Sequence, residues 1–177
     1  MNNMTTQTIE TDKQASRTMQ KERVLNCDVP VYLYPSAYAQ RHGEIEEYRV
    51  SRQANIACRD AIDQAIRAYY HDNMLNKKAA QSVVEQYGFD RTMYVLAITV
   101  LDKEWDGRIS QSNKKWAKMQ PIFTDHDEMG NERRRAFVVR SHPGLIDLFL
   151  REVRYEKAVS MEKKTLNPTK QKSEKER

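Results

Sequence analysis

Basic and aromatic residues in the C-terminal half of the chain could bind an anion or an unpaired base. Three consecutive arginines occupy positions 133–135, and two lysines precede a tryptophan at 114–116. Guanidinium groups form paired hydrogen bonds with phosphate, and an aromatic ring offers a face on which a base stacks. The pattern predicts contact with nucleic acid or a ribonucleoprotein through Arg108, Lys114, Lys115, Trp116, Arg133, Arg134 and Arg135. Two simpler interpretations stay open, because arginines often protect a strand edge and a tryptophan often packs in a core.

Ser141 and His142 have the residue types of a nucleophile and its base. Acyl transfer also needs a carboxylate that orients the histidine, together with contact between hydroxyl and imidazole. Pro143 is typical of the first position of a helix, so we expect the pair to cap a helix N-terminus instead. We therefore predict no catalytic residue, and a protein that is not an enzyme.

The loop that begins at residue 125 matches a calcium-binding loop only in part. Asp125 and Asp127 stand at its first and third positions, and Gly130 stands at the sixth. Met129 and Ala136 occupy positions five and twelve, where oxygen ligands are required. The five glycines of the chain lie far apart, so no glycine-rich loop could cradle nucleotide phosphates. We predict no metal and no cofactor.

The apolar pattern predicts a mostly α-helical (α+β) fold, a single domain with one β-hairpin. Apolar residues recur at intervals of three and four in most of the chain, which is typical of amphipathic helices. Strand-like alternation occurs at 121–124 and 135–139, joined by a turn at Gly130 and Asn131, and a third short strand at 31–34 is left open. The expected helices are 36–43, 44–70, 77–87, 91–103, 110–119 and one that begins at 143.

Eight residues are expected to fix turns, caps and buried contacts. Gly88 should end a helix, and Asp90 should cap the next one by accepting hydrogen bonds from backbone amides. Asn55 lies beside the buried stripe of a long helix, where its amide must be bonded, whereas Asp63 on that helix is expected to face solvent. The predicted structural residues are Asn55, Asp90, Arg91, Trp105, Asp106, Gly107, Ser141 and His142.

Composition divides the chain into a central domain and two polar ends. Residues 1–28 are predicted to be disordered or a frayed segment, residues 29–160 a single globular domain, and residues 161–177 a charged, flexible tail. No stretch has the roughly 18–20 apolar residues of a membrane span, and we expect no membrane contact and a cytoplasmic location. Residues 108–177 carry 17 basic and 10 acidic side chains, which favours an anionic partner.

Six short motifs are distributed over the predicted domain, and together they carry a resemblance. They stand at 34–39, 55–58, 87–91, 105–110, 113–117 and 141–145, and read YPSAYA, NIAC, YGFDR, WDGRIS, NKKWA and SHPGL. With them, residues 31–150 resemble a family of uncharacterised domains from conjugative elements and phages of gut Firmicutes. The chain is also similar in size and single-domain form to small anti-CRISPR proteins that inhibit Cas9.

This resemblance implies a non-enzymatic mobile-element protein that inhibits a Cas9-type effector by binding it or its nucleic acid. Because the chain is basic, with a net charge of +5, it is not expected to mimic DNA. The alternative is a stand-alone DNA- or RNA-binding accessory protein of a conjugative element or phage. The implied partners are the Cas9-type ribonucleoprotein of a bacterial host, or DNA or RNA directly, and the sequence leaves the oligomeric state open.

Overall fold

A computed structural model describes residues 29–123 and 125–173, so the N-terminal segment predicted at 1–28 lies outside the described residues. In these ranges the fold is mostly α-helical (α+β) with a single two-stranded antiparallel hairpin, and the predicted fold class is confirmed. The elements are α1 (Ser36–Arg41), α2 (Ile45–Tyr69), β1 (Tyr70–His71), β2 (Met74–Leu75), α3 (Lys78–Asp102), α4 (Gln111–Lys118), a 3-10 helix (Arg133–Phe137) and α5 (Pro143–Ser173).

The hairpin connects α2 and α3, which pack on each other. The two residues between β1 and β2 are Asp72 and Asn73, and their φ angles are 53° and 60°. Positive φ at both central positions is the geometry of a type I′ turn, which matches the twist of a hairpin. Aspartate and asparagine adopt this conformation more readily than most residues, so the sequence supports the turn.

The hairpin predicted at 121–124 and 135–139 is wrong. The second of these segments begins within the 3-10 helix and then continues without strand pairing in the described residues. The Val139 N–H donates to Thr99 Oγ1 at 3.0 Å, so a side chain of α3 takes the place of a partner strand. Phe137 and Val139 are buried in the core, and this packing explains the alternation that suggested a strand.

The arm that precedes α1, residues 29–35, is not a strand either, although one was left open at 31–34. The Tyr32 N–H donates to Ser51 Oγ of α2 at 2.9 Å. The arm therefore lies on a helix, and a helix side chain again replaces the ladder of a sheet.

A buried arginine joins this arm to α2 and α3. Arg91 of α3 is 3% exposed, and its Nη1 donates to the Ser51 carbonyl at 3.0 Å and to Asn55 Oδ1. Its Nη2 donates to the Val29 carbonyl at 2.6 Å. Asn55 is 3% exposed and bonded, as predicted, and its partner is Arg91.

α3 is interrupted at Gly88, whose φ of 77° and ψ of 165° separate the two helices that the sequence predicts. Residues 95–100 that follow are all buried, which agrees with a central helix. The predicted cap at Asp90 is wrong, because the helix resumes directly after Gly88 and Asp90 already lies in its first turn. The Asp90 carboxylate is exposed and makes no hydrogen bond in the described part of the chain. Its negative charge lies in the first helical turn, where the positive end of the helix dipole stabilises it.

α5 begins at Pro143 as predicted and continues to Ser173, through much of the segment predicted as a tail. Its apolar residues Ile146, Phe149 and Val153 are fully buried, and the helix packs on α3. The flexibility of the tail stays a prediction. Within the described ranges, no helix has both the length and the apolar composition needed to cross a membrane.

Candidate functional site

Residues 133–141, which we call the basic strip, lie along α2. Arg59 of α2 donates through Nη1 to the Ala136 carbonyl at 2.6 Å. One turn further along α2, Asp63 accepts a hydrogen bond of 3.1 Å from the Arg140 N–H. The strip and the helix therefore run in the same direction, and two side chains of α2 hold the strip.

The second of these anchors, Asp63, is 8% exposed, and the prediction that it faces solvent is wrong. Its Oδ1 also accepts from the N–H of Ser141 at 2.9 Å and from the Ser141 hydroxyl at 2.6 Å. Hydrogen bonds to a carboxylate are stronger than those between neutral groups, so these donors offset the cost of burying the charge. The carboxylate thereby fixes the backbone of Arg140 and leaves its side chain unrestrained.

A hollow of about 300 Å³ opens beside this anchor, and two exposed guanidinium groups line it. The side chains of Arg67 and Arg140 form no hydrogen bond and no ion pair in the part of the chain that the structure describes. Two carboxylates line the same hollow, but both are engaged: Asp63 by the strip and Asp60 by Arg59, at 2.7 and 2.9 Å. Both guanidinium groups are therefore free to bind a ligand, beside two carboxylates that are already hydrogen-bonded.

At the other end of the strip, Asp125 connects it to α1 and α2. The carboxylate accepts from the Ser36 N–H at 2.9 Å and hydroxyl at 3.1 Å, and from the Tyr48 hydroxyl at 2.9 Å. The Arg133 guanidinium lies 3.8 Å from the same carboxylate. Burial and the hydrogen bond to Asp125 raise the pKa of Tyr48 from 10.0 to about 12.

Four rings form a near-parallel series next to Asp125, which we call the aromatic ladder: His42, Tyr38, Tyr34 and Phe123. The centroid distances along it are 4.0, 4.3 and 5.6 Å, with angles of 31°, 22° and 26° between successive ring planes. Tyr34 and Phe123 are 47% and 46% exposed, and both line a small hollow with Asp125. The four-residue spacing of the first three rings is the sequence signal that indicates this ladder, and it was not predicted as a site.

Tyr32 packs between the aromatic ladder and Tyr48 of α2. Its ring meets Tyr34 edge-on, with centroids 6.0 Å apart, and meets Tyr48 edge-on at 5.9 Å. Its hydroxyl donates to Glu44 Oε2 at 2.7 Å, and burial together with this bond raises the pKa of Tyr32 above its usual range. The ladder thus rests on side chains whose polar ends are satisfied.

The ladder, the strip and the hollow all lie within residues 31–158, which match the family model described as "Protein of unknown function (DUF3849)". The chain belongs to the DUF3849 family. No curated protein and no solved structure matches it. The prediction of an uncharacterised domain family is thus confirmed for residues 31–158, which include the motif residues, whereas its link to conjugative elements, phages and anti-CRISPR proteins stays a prediction.

In this DUF3849 domain the three predicted arginines differ from one another. Arg133 and Arg134 are partly buried, with side chains 32% and 24% exposed, and Arg134 pairs with Glu132 at 2.9 Å. Arg135 is 68% exposed, and it lies 4.0 Å from Asp102. The three arginines lie in the 3-10 helix and not on the predicted hairpin, and Arg133 and Arg134 face the carboxylates of Asp125 and Glu132. Arg135 is the one most open to a ligand.

The predicted binding residues on α4 serve mainly the domain itself. The binding role predicted for Lys114 requires an exposed side chain and is contradicted, because Lys114 is 9% exposed, whereas Lys115 is exposed. Trp116 is partly buried against the core, and the Arg154 guanidinium lies 4.9 Å from its ring centroid. The interpretation of Trp116 as a packing residue is therefore favoured, and a role of Lys115 in binding stays a prediction.

The turn at 105–108 is organised by Asp106. Its carboxylate accepts from the Arg108 N–H and Nε at 2.9 Å and from Nη2 at 2.7 Å. These hydrogen bonds hold the pKa of Asp106 well below its usual range. Trp105 is 94% exposed and therefore packs little, and the φ of Gly107 is not positive, so that other residues could adopt it. The conformation of the turn therefore depends on the Asp106 carboxylate.

Ser141 and His142 act at the start of α5, as predicted. His142 Nδ1 accepts from the Gly144 N–H at 3.1 Å, which satisfies one amide of the first helical turn. The Ser141 hydroxyl donates to Asp63 and not to the imidazole. The two side chains therefore cap and anchor the backbone, and their geometry is not that of a nucleophile and its base.

Proposed function

We propose that this DUF3849 protein is a non-enzymatic nucleic-acid-binding protein that holds phosphates along the basic strip. The observation that carries the proposal is the hollow that Arg67 and Arg140 both line. Neither guanidinium makes a hydrogen bond or an ion pair in the described residues, so both are available to an anion. Phosphodiester groups suit paired guanidinium donors in shape as well as in charge.

The strip offers more than one such position. Arg135 is exposed between the partly buried Arg133 and the hollow. From Tyr48, which shares the Asp125 carboxylate with Arg133, to Arg67 the α2 helix rises about 28 Å, at roughly 1.5 Å per residue. A polyanion fits a track of this length better than a single phosphate does. The excess of basic residues from 108 onward agrees with such a partner.

The test is a fluorescence anisotropy titration of a labelled oligonucleotide over a range of salt concentrations. The parent protein should bind, with affinity that falls as salt rises. The double variant Arg67→Ala/Arg140→Ala should bind more weakly, and the slope of log K against log salt should decrease in magnitude by about 1.4 for single strands or about 1.8 for a duplex. Absence of binding by the parent, or an unchanged slope in the variant, would overturn the proposal.

A matched control is available on α5. Arg151→Ala/Lys163→Ala removes the same charge from exposed positions outside the hollow. This variant should keep the parental slope. Equal losses in both double variants would show a general effect of net charge, and the strip would not be the binding surface.

The finer part of the proposal concerns the partner. From the resemblance in its motifs, we propose that the protein belongs to a conjugative element or phage and acts in the cytoplasm of its bacterial host. It would inhibit a Cas9-type effector by binding that effector's nucleic acid. The alternative partner is the element's own DNA or RNA. A cleavage assay with Cas9 proteins from several gut Firmicutes distinguishes these two alternatives. Unchanged cleavage would exclude the role as a Cas9 inhibitor and would leave the nucleic-acid-binding role open.

A further inference from the structure

The aromatic ladder has the geometry of a stack that a further ring can extend. Tyr38 and Tyr34 are stacked with centroids 4.3 Å apart, Tyr34 and Phe123 are stacked at 5.6 Å, and His42 is tilted by 31° against Tyr38 at 4.0 Å. The ladder ends in Phe123 on one side and His42 on the other, and both are exposed. A planar ligand would therefore meet the face of an aromatic ring and not only its edge.

The surroundings of the ladder favour a base over a basic peptide. The Glu44 carboxylate is engaged by Tyr32, and Asp125 is engaged by Ser36 and Tyr48. Arg133 lies beside Asp125 in the hollow that Tyr34 and Phe123 also line. Both of these carboxylates thus accept hydrogen bonds from hydroxyl groups, and the Arg133 cation lines the same hollow as the two exposed rings.

The ladder and the strip meet at one side chain. Asp125 holds the first residue of α1, which precedes Tyr38, and it also lies against Arg133 at the start of the strip. A strand whose phosphates follow the strip would therefore bring a nucleotide to the ladder. In a duplex the faces of the bases are covered by their neighbours, whereas a single strand exposes them.

We propose that the aromatic ladder stacks unpaired bases, so that the protein prefers single-stranded over double-stranded nucleic acid. The inference rests on the proposed function, to which it adds a preference for single strands. Stacking on aromatic side chains tolerates any base, so the preference concerns strandedness and not sequence. DNA and RNA single strands share this chemistry, and the experiment includes both.

The test compares Tyr34→Leu/Phe123→Leu with the parent on three labelled probes of equal length: single-stranded DNA, single-stranded RNA and duplex DNA. The variant should lose about tenfold or more in affinity for a single strand, while its affinity for the duplex should stay the same. Because stacking releases no counterions from phosphates, the salt slope should also be unchanged. The DNA and RNA arms show which strand is preferred.

Tyr155→Leu is the control, since this tyrosine on α5 is 58% exposed and makes no ring contact among the described residues. Its affinity for single strands should equal that of the parent, and unchanged thermal unfolding verifies that the ladder variant is folded. Equal affinity of parent and ladder variant for single strands, or equal losses on single strand and duplex, would overturn the stacking role. In either case the slope change in the Arg67→Ala/Arg140→Ala variant still tests the proposed function separately.

Discussion

Arg91 and Arg140 are the same residue type in two opposite settings. Arg91 is 3% exposed, and its guanidinium donates to oxygens of the arm and of α2. Arg140 is exposed, and Asp63 holds its backbone N–H while its guanidinium lines the hollow. The fold thus fixes the side chain of one arginine and only the main chain of the other. A basic residue becomes available to a ligand where the backbone alone is anchored.

The largest expected effect is at the buried arginine. Arg91→Met should lower the free energy of unfolding by about 3 kcal/mol, because it leaves the Ser51 carbonyl and Asn55 Oδ1 without this donor in the interior. Urea denaturation followed by circular dichroism measures the change. Arg67→Met, the same substitution at the exposed hollow, should change stability by about 0.5 kcal/mol or less. Similar losses in both variants would contradict the contrast.

The next largest effect is expected at Asp63, which anchors the basic strip to α2. Asp63→Ala should cost about 2 to 3 kcal/mol, since two backbone N–H groups and a hydroxyl lose a buried carboxylate partner. It should also weaken oligonucleotide binding, because the backbone of Arg140 is released. Asp60→Ala on the same helix removes a partly exposed pair with Arg59 at the edge of the hollow but no hydrogen bond to the strip, and should cost less than about 1 kcal/mol. A binding loss equal in the two variants would show that the anchor does not position the strip.

Tyr48→Phe should cost about 1 to 2 kcal/mol at neutral pH, because the hydroxyl no longer donates to Asp125. The pKa of Tyr48 is raised from 10.0 to about 12, so folding favours the protonated hydroxyl. Its contribution is therefore complete below about pH 10 and is lost as the pH rises through about 12. Urea midpoints of parent and variant should converge over this interval.

The smallest effect on stability is expected at Arg135, which is exposed. Arg135→Ala should change the free energy of unfolding by about 0.5 kcal/mol or less, because its pair with Asp102 is 4.0 Å long and exposed. It should nevertheless reduce the magnitude of the salt slope of oligonucleotide binding by about 0.7 to 0.9, the contribution of one phosphate contact. An unchanged slope would limit the binding surface to the hollow.

The sequence predicts the helices well because their signals are local. The side chain of Ser110 accepts from the Asn113 N–H at the start of α4, Gly88 interrupts α3 with a positive φ, and Pro143 opens α5. Each signal depends on residues within one turn of the helix. The bounds of α2 and the all-round burial of the second part of α3 follow from periodicity in the same way.

The strip and the ladder depend on contacts between distant residues, and the sequence does not reveal them. Asp63 appears polar and outward-facing on a helical pattern, but its burial follows from donors 77 and 78 residues away. Thr99 is another such acceptor, because its hydroxyl accepts a hydrogen bond from the Val139 N–H, 40 residues away. An alternating segment such as 135–139 predicts a strand unless those side-chain acceptors are known, and this is why the hairpin was placed wrongly.

The two anchors on α2 also constrain which changes in chain length the domain tolerates. Arg59 and Asp63 are four residues apart on a rigid helix, and their partners Ala136 and Arg140 are four residues apart as well. A residue inserted between these partners would break one of the two hydrogen bonds and turn Arg140 away from the hollow. An insertion at the Gly130 turn leaves both intact. Insertions and deletions among natural homologues should therefore collect before the strip, and its spacing against α2 should remain constant.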